Sequence, residues 1–116
     1  MRFEDLEVWK RASRLSADIY KSSRDLKDFG FRDQLTRSGL SVPSNIAEGY
    51  ERTGPKEFAR FLNFAKGSCG EMRTQIYIGL EIGSIAEDIA KRWIGESKQI
   101  SRMLHKLIHS AKERGA

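Results

Sequence analysis

Leu40-Ser41-Val42-Pro43-Ser44-Asn45-Ile46-Ala47-Glu48-Gly49 places a proline and a run of small and polar residues inside an otherwise amphipathic, helical stretch. A proline in a helix interior removes one backbone hydrogen bond, and its ring presses on the carbonyl four residues back, a disruption of ~3 kcal/mol. Here that carbonyl belongs to Gly39, which can bend. Ser44 and Asn45 favour helix starts, and Glu48 lies three residues beyond Asn45, the spacing of a capping box with Asn in place of Ser or Thr. The segment therefore reads as a helix kinked at Pro43 and capped again after it. A sharper reading makes Asn45 and Glu48 a partly buried polar network that fixes how helices meet. Neither reading supplies an acid–base pair, because no His, Cys or Lys stands at helical spacing from the carboxylate. Pro43, Asn45 and Glu48 are thus expected to be structural, as buried polar groups generally are.

Outward from this segment the apolar residues recur with helical period. From about Asp5 to Leu26, Val8, Ala12, Leu15, Ile19 and Leu26 share one side, flanked by Trp9 and Tyr20. Lys27-Asp28-Phe29-Gly30-Phe31 reads as a connection broken by glycine, and a second helix follows from about Arg32 to Arg52. Thr53-Gly54-Pro55 stops it and starts a third, since proline suits a first helical turn. That helix, about Pro55 to Ile82, carries Phe58, Phe61, Leu62, Ala65, Cys69, Met72, Ile76 and Leu80 as a seam. Gly67, Gly70 and Gly79 lie inside it, each at a cost of roughly 1 kcal/mol relative to Ala, which suggests close helix–helix approach. After Gly83-Ser84, a fourth helix from about Ile85 to Glu113 sets Ile89, Trp93, Ile100, Leu104, Leu107 and Ala111 opposite Lys91, Lys98, Arg102 and Lys106. Four helices with short connections predict one all-α domain over residues 1–116, an antiparallel up-down-up-down four-helix bundle. Phe3, Trp9, Tyr20, Phe64, Tyr77 and Ile78 exceed what so small a bundle covers, so the bundle is expected to oligomerise.

The charge of the chain is unevenly placed. Residues 1–90 hold 14 Lys+Arg and 14 Asp+Glu, whereas residues 91–116 hold seven against two, so the whole net charge of +5 lies in the last segment. Such a field attracts phosphates or an acidic protein surface. The lone cysteine cannot form an intramolecular disulfide, and no 18-residue apolar run or signal-like segment appears; a cytoplasmic location is the expectation.

Several motifs point to a known family: Phe3, Leu6 and Trp9; Gln34 and Arg37; the run Ser41 to Gly49; and Phe58, Phe61, Leu62, Ala65, Gly67, Ser68 and Glu71. On these residues nearly the whole chain resembles the four-helix-bundle family of proteins encoded in ribosomal-RNA intervening sequences, which also includes the accessory variability proteins of diversity-generating retroelements. The sequence departs from that pattern at Thr36, where a basic residue is common, and at Cys69 and Met72, where leucines are usual. The resemblance implies a pentameric, barrel-like assembly without enzymatic activity. In the retroelement members it also implies binding of nucleic acid, RNA included, and of a reverse transcriptase.

Catalytic and metal chemistry find little support in the residues themselves. His105 and His109 are four apart on the fourth helix, but two imidazoles specify little and the neighbouring Lys98, Arg102 and Lys106 repel a cation. The Glu-x-x-His pairs of a di-iron bundle are missing, and Cys69 falls on the apolar seam. No cofactor is implied. Two functional classes stay open. In one, Lys91, Arg92, Lys98, Arg102 and Lys106, with Lys10 and Arg14, contact phosphates with little base readout. In the other, the basic face docks on a protein partner such as a reverse transcriptase.

Overall fold

The computed structural model describes residues 1–115. A short 3-10 turn, Phe3–Asp5, precedes four helices: α1 Glu7–Ser22, α2 Phe29–Glu51, α3 Pro55–Glu81 and α4 Glu87–Gly115. No strand occurs among the described residues. Helix α1 packs on α2, α2 on α3, α3 on α4, and α4 back on α1. The result is a rod of 46 × 21 × 19 Å. Its core is one continuous cluster in which Ile19, Leu35, Ile46, Leu62, Met72, Ile76, Ile100 and Leu104 are fully buried. No described helix is long and apolar enough to cross a membrane.

The third helix begins at the expected proline, because Gly54 adopts φ 87° and turns the chain into it. The other ends differ from expectation for local reasons. Helix α1 stops at Ser22, and Leu26 lies in the turn beyond it. The Ser23 amide closes the last turn on the Ile19 and Tyr20 carbonyls at 3.0 and 3.3 Å, and the Leu26 amide then turns onto the Ser23 carbonyl at 3.1 Å. Helix α2 starts at Phe29, three residues early: the Asp28 carboxylate accepts from the Phe31 amide at 3.1 Å, so Gly30 falls in a capped first turn instead of breaking the chain. Helix α4 starts at Glu87, later than Ile85. The amides of Ser84 and Ile85 donate to the Gly79 carbonyl at 2.8 and 3.1 Å, which ties Ile85 to the end of α3.

The largest correction concerns the segment after Pro43. Helix α2 runs through it without a break, and Pro43 is buried. No second helix start follows, so the capping box of Asn45 and Glu48 does not form. Asn45, half-buried, instead reaches back and donates through Nδ2 to the carbonyl and hydroxyl of Ser41, both at 2.9 Å. Ser41 Oγ in turn meets Ser68 Oγ on α3 at 2.8 Å. Glu48 is exposed and pairs with Arg52 one turn on. The polar network across α2 and α3 is therefore built from Ser41, Asn45 and Ser68, together with Ser38, whose hydroxyl meets Gln75 Oε1 at 2.5 Å. Glu48→Ala is expected to remove only an exposed i,i+4 pair of about 0.3–0.5 kcal/mol. Its melting temperature should stay within about 3 °C of wild type, whereas Asn45→Ala should melt clearly lower, as read by circular dichroism.

Two further expectations divide. Gly79 does meet a close neighbour, since a Cβ there would lie 2.5 Å from Ile85 Cδ1, but at Gly67 and Gly70 nothing lies within 4 Å. Phe3 and Trp9 cover each other edge to face, 5.3 Å apart, and are half-buried instead of left over. Tyr20 stays exposed, as do Phe64, Tyr77 and Ile78, with 46, 47 and 48% of their surface in solvent.

Candidate nucleic-acid interface

Helix α4 buries Ala90, Trp93, Ile94, Ser97, Ile100, Leu104, Ile108 and Ala111, and this periodic face forces the intervening cations outward. Lys91, Arg92, Lys98, Arg102 and Lys106 are exposed along the resulting ridge. A groove runs on each side of it. Toward α3, Lys98, Arg102 and Lys106 line a groove of about 470 Å³ together with Lys66, Arg73, Ser101 and His105. Toward α1, Lys91 and Arg92 line one of about 450 Å³ with Arg11, Arg14, Asp18, Glu96 and Gln99, over Trp93. Lys10 is exposed but lines neither. The structure thus divides the expected residues between two flanks of one helix.

The two flanks differ electrostatically. On the α1 side Arg11 forks onto Glu96, Nε to Oε2 at 2.9 Å and Nη2 to Oε1 at 2.5 Å. Both side chains are about two-thirds covered, with 29 and 31% exposed. The Arg11 hydrogen bonds hold the Glu96 carboxyl below its ordinary pKa, working against partial burial. A lowered carboxylate pKa means the pair stabilises the fold above the ordinary carboxylate range, and that contribution fades as pH falls through the lowered value. Lys91 is likewise occupied, by Glu87 at 2.9 Å. On the α3 side, none of Lys66, Arg73, Lys98, Arg102 or Lys106 pairs with a carboxylate among the described residues.

His105 and His109 separate. The Nδ1 of His105 lies 3.3 Å from Lys66 Nζ in the α3 groove, and His109 Nε2 lies 3.1 Å from Glu113 Oε1 on the surface. No three His, Cys, Asp or Glu side chains gather as metal ligands among the described residues. Cys69 is buried, and its thiol donates to the Ser97 carbonyl at 3.2 Å. Burial pushes its pKa up, partly offset by Arg73.

Lys66, Arg73, Ser101, His105 and Arg11 are the site residues that periodicity alone does not mark. For Lys66 and Arg73 a signal exists: they are two turns apart on α3 and bracket Cys69, which puts both at the edge of the apolar seam that meets α4.

An all-helical chain of four helices with a cationic ridge along the last of them is the class that these features define. The chain belongs to the 23S rRNA-intervening sequence protein family, whose model matches residues 4–106. Its fold is similar to that of a protein of unknown function from the S23 ribosomal protein family of Bacteroides thetaiotaomicron VPI-5482. The TM-score is 0.82 at 23% identity, over 87% of this chain and 97% of that one. No curated protein matches.

Proposed function

We propose that this protein is a non-enzymatic, cytoplasmic homo-oligomer, five bundles arranged as a barrel, that binds nucleic acid through the α4 ridge with little sequence specificity. The observation that carries this is the state of the acids beside the ridge. Between residues 91 and 115 the acids are Glu96 and Glu113, engaged by Arg11 and His109, so Lys98, Arg102 and Lys106 are left to external anions. Paired residues also support an up-down-up-down order: Ser38 with Gln75 and Ser41 with Ser68 run oppositely along α2 and α3, as Arg73 with Ser97 and Lys66 with His105 do along α3 and α4. The name of the family, proteins of rRNA intervening sequences, favours RNA as the partner. Around a ring the ridge of each copy becomes one belt, and weak phosphate contacts add through effective concentration.

Changing Lys98, Arg102 and Lys106 together to Gln tests the reading. Each phosphate contact removed flattens the dependence of log affinity on log salt by roughly 0.9 for duplex DNA, so the slope should fall by up to about 2.7 per subunit engaged. Unrelated sequences should weaken alike while helicity and assembly mass hold. Binding of unchanged slope would instead favour a scaffold that docks on a protein such as a reverse transcriptase.

A further inference from the structure

The groove between α3 and α4 is more than one flank of a charged ridge, because two helices build it and part of its lining is fixed in place. Arg73 reaches across from α3 and donates from Nε to Ser97 Oγ at 2.8 Å and from Nη2 to the Ser97 carbonyl at 3.2 Å. Ser97 is buried, and its hydroxyl donates to the Ile94 carbonyl at 2.7 Å. These bonds hold the guanidinium plane at the wall of the groove. Its Nη1 has no hydrogen-bond partner among the described residues. A guanidinium fixed this way loses little freedom when it takes an anion, and its fork matches phosphate oxygens. Two turns back along α3, Lys66 Nζ lies 3.3 Å from His105 Nδ1, and both line the same groove as Ser101.

Five cationic side chains thus line one depression of about 470 Å³ with no carboxylate in its lining. Held so close, they repel one another, and an anion relieves that repulsion. Lys98 to Lys106 spans about 12 Å along the helix axis, so more than one phosphate fits between them. A metal cation is excluded by the sign of the field.

We propose that the α3–α4 groove is a phosphate-binding site for vicinal or successive phosphate groups, with Arg73 as the fixed anchor, Lys66, Lys98, Arg102 and Lys106 as mobile donors, and Ser101 and His105 as further hydrogen-bonding partners. It rests on the nucleic-acid reading only for what delivers the phosphates. Successive phosphodiesters of a strand and the phosphates of a small molecule share the chemistry that this groove recognises. The α1 side, where Arg11 is occupied by Glu96 and Lys91 by Glu87, is not such a site.

Pyrophosphate is the probe that isolates the groove from the rest of the ridge. Titrated into the full-length protein, it should shift the His105 imidazole and Ser101 amide resonances in nuclear magnetic resonance spectra. Lys66→Gln and Arg102→Gln should each weaken that binding about tenfold, while Lys21→Gln, exposed on α1 and outside both grooves, should leave it unchanged. Lys66 and Arg102 are chosen because neither has a hydrogen bond in the core, so both variants should keep the wild-type helicity. The same variants are then measured against a short single-stranded RNA across a salt series. If they weaken pyrophosphate and also flatten the RNA salt slope, the groove takes backbone phosphates. Weakened pyrophosphate with an unaltered RNA slope keeps the groove as a site for a small phosphate-bearing molecule and counts against the nucleic-acid reading of its residues. Pyrophosphate that leaves the His105 and Ser101 resonances in place, or binds both variants like wild type, overturns the proposal.

Discussion

Gly49→Ala is expected to lower the melting temperature by roughly 5–15 °C, the loss that follows from about 1–3 kcal/mol of overpacking in a chain of this size. Where α2 passes α3, a Cβ on Gly49 would stand 2.5 Å from Phe61 Cβ and 3.3 Å from the Phe58 carbonyl oxygen. Neither is the far end of a flexible side chain. The two backbones would have to part at that end of the bundle, opening the contact of Tyr50 with Phe58, now edge to face at 5.7 Å. Gly39→Ala makes the comparison. Its nearest neighbours, Met72 Sδ and Ile19 Cδ1, lie 3.7 and 3.8 Å from the new methyl, ordinary contact distances. The gain in helix propensity should then appear, and the variant should melt at or above wild type. Thermal melts of the pair decide the matter, and a Gly49→Ala protein as stable as wild type would contradict this approach of α2 to α3.

Gly67→Leu is expected to reduce the proposed assembly to smaller species, or to monomer, with helicity retained. Gly67 and Gly70 sit one turn apart on the outward face of α3, in line with Phe64 on one side and Thr74, Tyr77 and Ile78 on the other. Among the described residues no other element comes within 4 Å of a Cβ built at either, so their lack of a side chain serves no packing within the bundle. Glycine in an exposed helix interior costs roughly 0.5–1 kcal/mol relative to Ala, a penalty without return on a lone bundle. In an assembly it lets the backbone of a neighbouring copy come close, with the flanking aromatics covered. A leucine there would hold the proposed copies apart. Sedimentation velocity with circular dichroism reads both mass and helicity. Should Gly67→Leu sediment like wild type while Gly67→Ala merely melts higher, the face is open to solvent and self-association through α3 is wrong.

The helices were legible in the sequence because each buries one stripe with period 3.6, and Pro55 and Gly54 punctuate the chain where the structure turns. Their ends were less so. Phe29 and Gly30 read as a loop because glycine is a common helix breaker, while the nearby Asp28 cap, which decides the matter, leaves no apolar signature. After Pro43 a fresh helix cap at Asn45 and Glu48 is the natural reading, yet α2 continues through the proline with α1 and α3 packed on it, and the Asn45 side chain turns back to the Ser41 carbonyl instead. The α3–α4 groove was the least visible feature. Lys66 and Arg73 belong to a stretch whose charges cancel, and only the packing of α3 beside α4 brings them to Lys98 and Arg102. Charge counted along the chain finds the ridge, whereas charge gathered in space finds the groove.

Cys69 gives the molecule an internal clock. Its sulfur is wholly enclosed between α3 and α4, bonded to the Ser97 carbonyl, and held as the unreactive thiol by burial. A disulfide reagent in solution can reach it only when those two helices separate. The rate at which one thiol per chain is modified therefore counts the openings of that seam, and a ligand that bridges α3 and α4 from outside should slow the count without touching the sulfur.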